Sequence, residues 1–130
     1  MASFQNNYSG KHMICDIKEI KNKQLLNDVQ RIRETLSHLC TRYNFTVLDI
    51  IEHIFEPQGF TMLFLLSESH ISIHTFPEND YFALDIYTCR EYENNNEYMD
   101  IYNFLVVLFD AKKEAPIIID RPMRTIITQV

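Results

Sequence analysis

Leu25, Leu26, Val29, Ile32, Leu36, Leu39 and Tyr43 recur every three or four residues, the spacing that lines one face of an α-helix. The pattern predicts a single helix ending near Asn44. Ahead of it, after an irregular start, Lys11 to Ile17 predicts a short strand. Behind it the period changes. Phe45 to Phe55 is rich in β-branched and aromatic residues, Glu56-Pro57-Gln58-Gly59 supplies turn chemistry, and Phe60 to Leu66 is a second such run, which predicts a hairpin. His70 to Phe76 predicts a further strand and Pro77-Glu78-Asn79-Asp80 a turn. Tyr81 to Cys89 then predicts a strand with Ala83, Asp85, Tyr87 and Cys89 on one face. Polar Glu91 to Glu97 reads as a loop, and Tyr98 to Lys112 as a helix whose apolar face holds Ile101, Leu105 and Leu108. Pro116 to Ile127 opens on the β-prone Ile117-Ile118-Ile119. The order β-α-β-β-β-α-β predicts an α+β fold, a two-layer sandwich with two helices on one face of a mainly antiparallel sheet.

With 130 residues, 46% hydrophobic and 23% charged, the chain has the size of one domain, residues 1–130, burying roughly two thirds of its unfolded surface. Its most apolar stretch, Phe104 to Phe109, is far shorter than the roughly 18 to 20 residues that span a bilayer. The start, MASFQNNYSGKH, lacks the apolar segment of a signal peptide, so a cytoplasmic protein without a membrane partner is expected. A net charge of -6, with 12 basic residues scattered among 18 acidic ones, argues against nucleic acid as a partner and mildly favours a cationic small ligand. Cys15, Cys40 and Cys89 are odd in number and widely spaced, which encodes neither a disulfide framework nor a zinc ribbon. Gly10 and Gly59 are the only glycines, too few for a Gly-rich phosphate cradle.

Chemistry concentrates between Ser67 and Cys89. His70, Ser72 and His74 share one face of a strand. A metal site would need His70, His74 and Cys89, but strand residues four apart lie about 13 Å from each other, too far to share an ion without a bend. A hydrolase could use Ser69 or Cys89 as nucleophile and His74 as base, although no nucleophile elbow accompanies them. The plain alternative is a strand with polar residues on a solvated face and Cys89 in the core. From the residues alone these readings stay open.

Glu68-Ser69-His70, Ile73-His74-Thr75, Pro77-Glu78, Ala83, Asp85 and Thr88-Cys89 closely resemble the processing and active-site segment of the short prokaryotic type of S-adenosylmethionine decarboxylase proenzyme. Gly10-Lys11-His12, His53, Phe55, Pro57 and Gly59 extend the resemblance over roughly Gly10 to Pro122. It implies an α/β sandwich assembled as a homodimer of processed protomers, with sites across the interface. It also implies self-cleavage between Glu68 and Ser69, giving residues 1–68 as β chain and 69–130 as α chain, with Ser69 converted to a covalent pyruvoyl cofactor. That group forms a Schiff base with the amine of S-adenosylmethionine, and the product is the aminopropyl donor of spermidine synthesis. In the resemblance Thr61 supports the oxyanion of processing, His74 abstracts the proton for elimination and Cys89 returns a proton to the substrate. Phe55 and Phe76 match aromatic substrate-binding positions, Glu78 is a candidate polar contact, and neither a metal nor an added organic cofactor is implied.

Several positions depart from the family's pattern. Thr61 stands where serine is usual, Phe76 where tryptophan is common, and Asp80 and Arg90 where glycine is usual. Ser69 and His74 have opposite parity, so a regular strand would point them to opposite faces, and a bend at the cleavage site is expected. Two alternatives accompany this reading. One is the same pyruvoyl chemistry on ornithine or arginine; the other is a non-catalytic regulatory homologue.

Overall fold

A computed structural model describes residues 8–122. Six strands form one sheet: β1 (Tyr8–Ile17), β2 (Val47–Ile54), β3 (Phe60–Leu66), β4 (Ser69–Phe76), β5 (Tyr81–Thr88) and β6 (Ile117–Pro122). Their order across the sheet is β2-β3-β4-β5-β1-β6, and each neighbouring pair is antiparallel. Helices α1 (Lys23–Leu26), α2 (Val29–Arg42) and α3 (Asn96–Phe109) complete the α+β sandwich expected from the element order.

Alternation along the strands builds the core. Met13, Cys15 and Ile17 of β1, Met62 and Phe64 of β3, Ile71 and Ile73 of β4, and Phe82, Leu84 and Ile86 of β5 are all buried. Against them pack Ile32, Leu36 and Leu39 of α2 and Tyr98, Ile101, Tyr102, Leu105 and Phe109 of α3. Each such side chain contributes roughly 1.5–3 kcal/mol on burial, which fixes the register of β1, β3, β4 and β5 beneath the helices. Burial pushes the Cys15 thiol up to about 12 and the Cys40 thiol up to about 11, so both are inert core groups.

The single helix expected up to Asn44 is two helices. Asn27 closes α1, its backbone N–H donating to Lys23 O at 3.2 Å, and the Asp28 carboxylate accepts from the N–H of Arg31 to cap α2. Two adjacent short polar side chains offer the backbone better partners than helix continuation does. Leu25 and Leu26 nevertheless stay in the core. Other ends shift by a few residues. β1 begins at Tyr8 and β2 at Val47, while Phe45 is buried with its N–H donating to Cys40 O at 2.8 Å. α3 begins at Asn96 and stops at Phe109, where Asp110 turns left-handed at φ 51°. The expected continuation of the last strand to Ile127 lies outside the described residues.

Among the described residues no element covers the other face of the sheet. Register places Leu65, His70, Tyr87, His12 and Ile119 in one row across it, and Ile51, Leu63, Ser72, Asp85, Ile14 and Ile117 in the next. Leu65, Ile51 and Ile117 are 53%, 61% and 59% exposed, unusually open for apolar strand residues.

Candidate active site

β3 and β4 are joined by Ser67 and Glu68, with Leu66 paired to Ser69. Glu68 takes φ 66°, a left-handed conformation that favours glycine, so the residue before Ser69 carries local backbone strain. Ser69 is half-buried, and its Oγ accepts the backbone N–H of Cys89 at 3.1 Å. Cys89 lies just past the end of β5, is exposed rather than in the core, and its thiol donates to the Tyr87 hydroxyl at 3.4 Å. An open cavity of about 340 Å³ lies over these groups, lined by Ser67, Glu68, Ser69, Cys89 and Arg90.

Beneath Cys89 the chain is anchored in the core. The buried Thr88 hydroxyl lies 2.9 Å from the Tyr92 hydroxyl and 3.0 Å from that of Tyr98, and the Tyr98 hydroxyl donates to Lys11 O at 2.8 Å. Burial pushes both phenols up, so they act as neutral hydrogen-bonding groups. The buried Lys11 ammonium donates to Asn95 Oδ1 at 2.6 Å and Asn94 O at 3.3 Å, and lies 3.4 Å from the Asp120 carboxylate.

Arg90 closes one side of the cavity. Its guanidinium donates to Tyr43 O at 2.7 Å and Asn44 O at 2.8 Å, carbonyls just past the end of α2, and sits 4.7 Å from the centre of the Phe45 ring. A cation at a helix C-terminus offsets unsatisfied carbonyls and the negative end of the helix dipole. Arg90→Ala is therefore expected to lower stability by about 1–2 kcal/mol, read as an earlier denaturant midpoint with unchanged slope.

At the far end of the same strands lies a second constellation. Thr61 and His74 are register partners across β3 and β4, and Thr61 Oγ1 and His74 Nδ1 share a hydrogen bond of 2.9 Å. Phe76 closes β4 and stacks on Tyr81 with ring centres 4.8 Å apart. Phe55, 47% exposed, follows β2, and Glu78 lies in the short 3-10 turn Pro77–Asn79. Thr61, His74, Phe55, Phe76 and Glu78 line a cavity of about 560 Å³.

β4 runs without a register break from Ser69 to His74, so the expected bend is absent. Five residues of regular strand place the two side chains about 16 Å apart and on opposite faces. The structure thus unites Ser69 with Glu68 and Cys89, and Thr61 with His74, Phe55, Phe76 and Glu78, but does not bring the two groups together in one chain. Among the described residues no three His, Cys, Asp or Glu side chains are arranged to hold a metal ion. No helix among them is long and apolar enough to cross a membrane.

A six-stranded antiparallel sheet with helices on one face defines a two-layer α+β sandwich. Residues 11–122 match the sequence model of the S-adenosylmethionine decarboxylase family. The chain is 48% identical over 82 residues to an S-adenosylmethionine decarboxylase proenzyme of Prochlorococcus marinus, covering 63% of this chain and 65% of that protein. It is 43% identical over 82 residues to the proenzyme of that name from Brevibacillus brevis, covering 63% and 61%. The matched stretch thus spans just under two thirds of either relative. The crystal structure of the adenosylmethionine decarboxylase from Aquifex aeolicus superposes with a TM-score of 0.76 at 27% identity, covering 92% of this chain and 96% of that one. The chain belongs to the S-adenosylmethionine decarboxylase family.

Proposed function

We propose that this protein cleaves itself before Ser69 and decarboxylates S-adenosylmethionine with the pyruvoyl group so formed. The observation that carries the reading is the Ser69 hydroxyl, held at 3.1 Å by the Cys89 N–H directly after the left-handed Glu68. Ser69 Oγ attacks the Glu68 carbonyl carbon, and the amide becomes an ester. Elimination then requires a base at the Ser69 Cα proton and a hydroxyl near the developing oxyanion, the roles proposed for His74 and Thr61. Their shared hydrogen bond orients the imidazole.

Because His74 lies about 16 Å from Ser69 along its own strand, a second copy of the chain supplies both groups. The open sheet face, with Leu65, Ile51 and Ile117 exposed, suits face-to-face packing of two sheets, which sit about 10 Å apart in such sandwiches. Domain organisation follows: one sandwich per chain, made of residues 1–68 and 69–130 and completed by its partner. Ser69 at an accessible strand end beside a cysteine fits the group it is proposed to become.

Once formed, the pyruvoyl group supplies an electrophilic carbonyl that takes the substrate amine and accepts the electron pair left as carbon dioxide departs. The Cys89 thiol returns a proton to the substrate α-carbon. Phe55 and Phe76 offer faces to adenine and sulfonium, and the Glu78 carboxylate accepts from ribose hydroxyls. Carbon dioxide release from labelled S-adenosylmethionine, ornithine and arginine tests the substrate: release from the first supports the reading, and release from ornithine or arginine alone overturns it. Cys89→Ala is expected to process normally and to lose about 100-fold or more in turnover, the usual scale for a proton-transfer group. Full turnover in that variant would remove Cys89 as the donor.

A further inference from the structure

We infer that Tyr87 is a positioning residue for the Cys89 thiol, one whose hold on it matters once Ser69 has been consumed. The inference rests on the decarboxylase reading above. In the uncleaved chain Cys89 is held at two points, its N–H by Ser69 Oγ at 3.1 Å and its thiol by the Tyr87 hydroxyl at 3.4 Å.

The first point does not survive self-cleavage. Attack by Ser69 Oγ forms a C–O bond at the Glu68 carbonyl and breaks the C–N bond. Elimination removes the Ser69 Cα proton and breaks Cβ–Oγ, so the oxygen leaves as part of the new Glu68 carboxylate. The remaining dehydroalanine takes up water at Cα and releases ammonia, and what was Cβ ends as a methyl group. No oxygen is left on that carbon to accept the Cys89 N–H, while the Tyr87 contact involves none of the atoms that change.

Tyr87 is built to hold its place. It lies two residues before Cys89 on the same side of β5, the relation that lets strand neighbours touch. Its ring centre lies 6.0 Å from that of His12 and 5.7 Å from that of His70, and the Arg121 guanidinium sits 4.6 Å from it. Gly10 makes room for this arrangement. A Cβ there would come within 2.8 Å of the Tyr87 ring edge and hydroxyl and 2.3 Å of Thr88 O. A fixed phenol two residues away therefore aims a thiol that stands beyond the last strand hydrogen bonds.

The contact is tested first without processing or activity, in the Ser69→Ala chain, by following alkylation of Cys89 with iodoacetamide against pH. Cys15 and Cys40 are buried and stay silent. Adding Tyr87→Phe removes a phenol that donates to the thiolate, so the pH of half-maximal alkylation is expected to rise by about half a unit. Asp85, His12 and Arg90 are the same in both proteins and drop out of the comparison. In the Ser69 protein, Tyr87→Phe is expected to leave cleavage and KM unchanged and to lower kcat about fivefold, and to have no further effect when Cys89 is already alanine. An unmoved alkylation profile overturns the inference. So does an unchanged kcat, or an equal loss in the Cys89→Ala background. If the protein failed to decarboxylate S-adenosylmethionine at all, the alkylation shift would still appear, which separates this inference from the reading beneath it.

Discussion

Ser69→Ala is expected to purify as one uncut 15.5 kDa chain with no measurable turnover. The alanine removes one oxygen atom and leaves the strand pairing of β4 intact, since Ser69 is paired through its backbone to Leu66. It also removes the acceptor of the Cys89 N–H. An unpaired, accessible N–H costs about 1 kcal/mol or less, because water takes the acceptor's place, so the variant folds and its thermal midpoint moves by only a few degrees. Loss of activity with retained folding assigns the serine to chemistry. Cleavage in Ser69→Ala would place the reacting residue elsewhere.

The second large effect comes from mixing two inactive chains. His74→Ala alone is expected to remain uncut, as is Ser69→Ala. Co-expressed in equal amounts with different tags and pairing at random, they form mixed dimers in which the His74→Ala chain keeps its Ser69 and faces an intact Thr61 and His74 on its partner. About half of the His74→Ala chains should then be cleaved, and none of the Ser69→Ala chains. The unbroken register from Leu66 and Ser69 to Thr61 and His74 keeps the two groups apart within one chain. If the mixture stays uncut, processing is confined to one chain, and β4 must bend in a way its register does not show.

Strand periodicity alone placed His70, Ser72 and His74 on one face of β4 and Ala83, Asp85 and Tyr87 on one face of β5, because a period of two survives whatever packs against it. The same rule put Ser69 and His74 on opposite faces. The expectation of a bend came from requiring both in one chain; β4 is regular from Ser69 to His74, and the proposed second copy removes the need for a bend. The break in the first helix was hidden for a local reason: Leu25, Leu26, Val29 and Ile32 keep a helical rhythm across Asn27 and Asp28, while capping by Asp28 decides the boundary. The partners of Arg90 could not be read from the sequence, since Tyr43 and Asn44 lie more than forty positions away. The Tyr87 contact was within reach, because a hydroxyl two residues before a cysteine on one strand lies on its side, and the strand's end at Thr88 is what turns that neighbourhood into a hydrogen bond.

Cleavage before Ser69 is read from the intact mass of freshly purified protein under denaturing conditions. Two fragments are expected, residues 1–68 and 69–130, the second beginning with a pyruvoyl group in place of serine. A single chain of 15.5 kDa that persists on long incubation would contradict it.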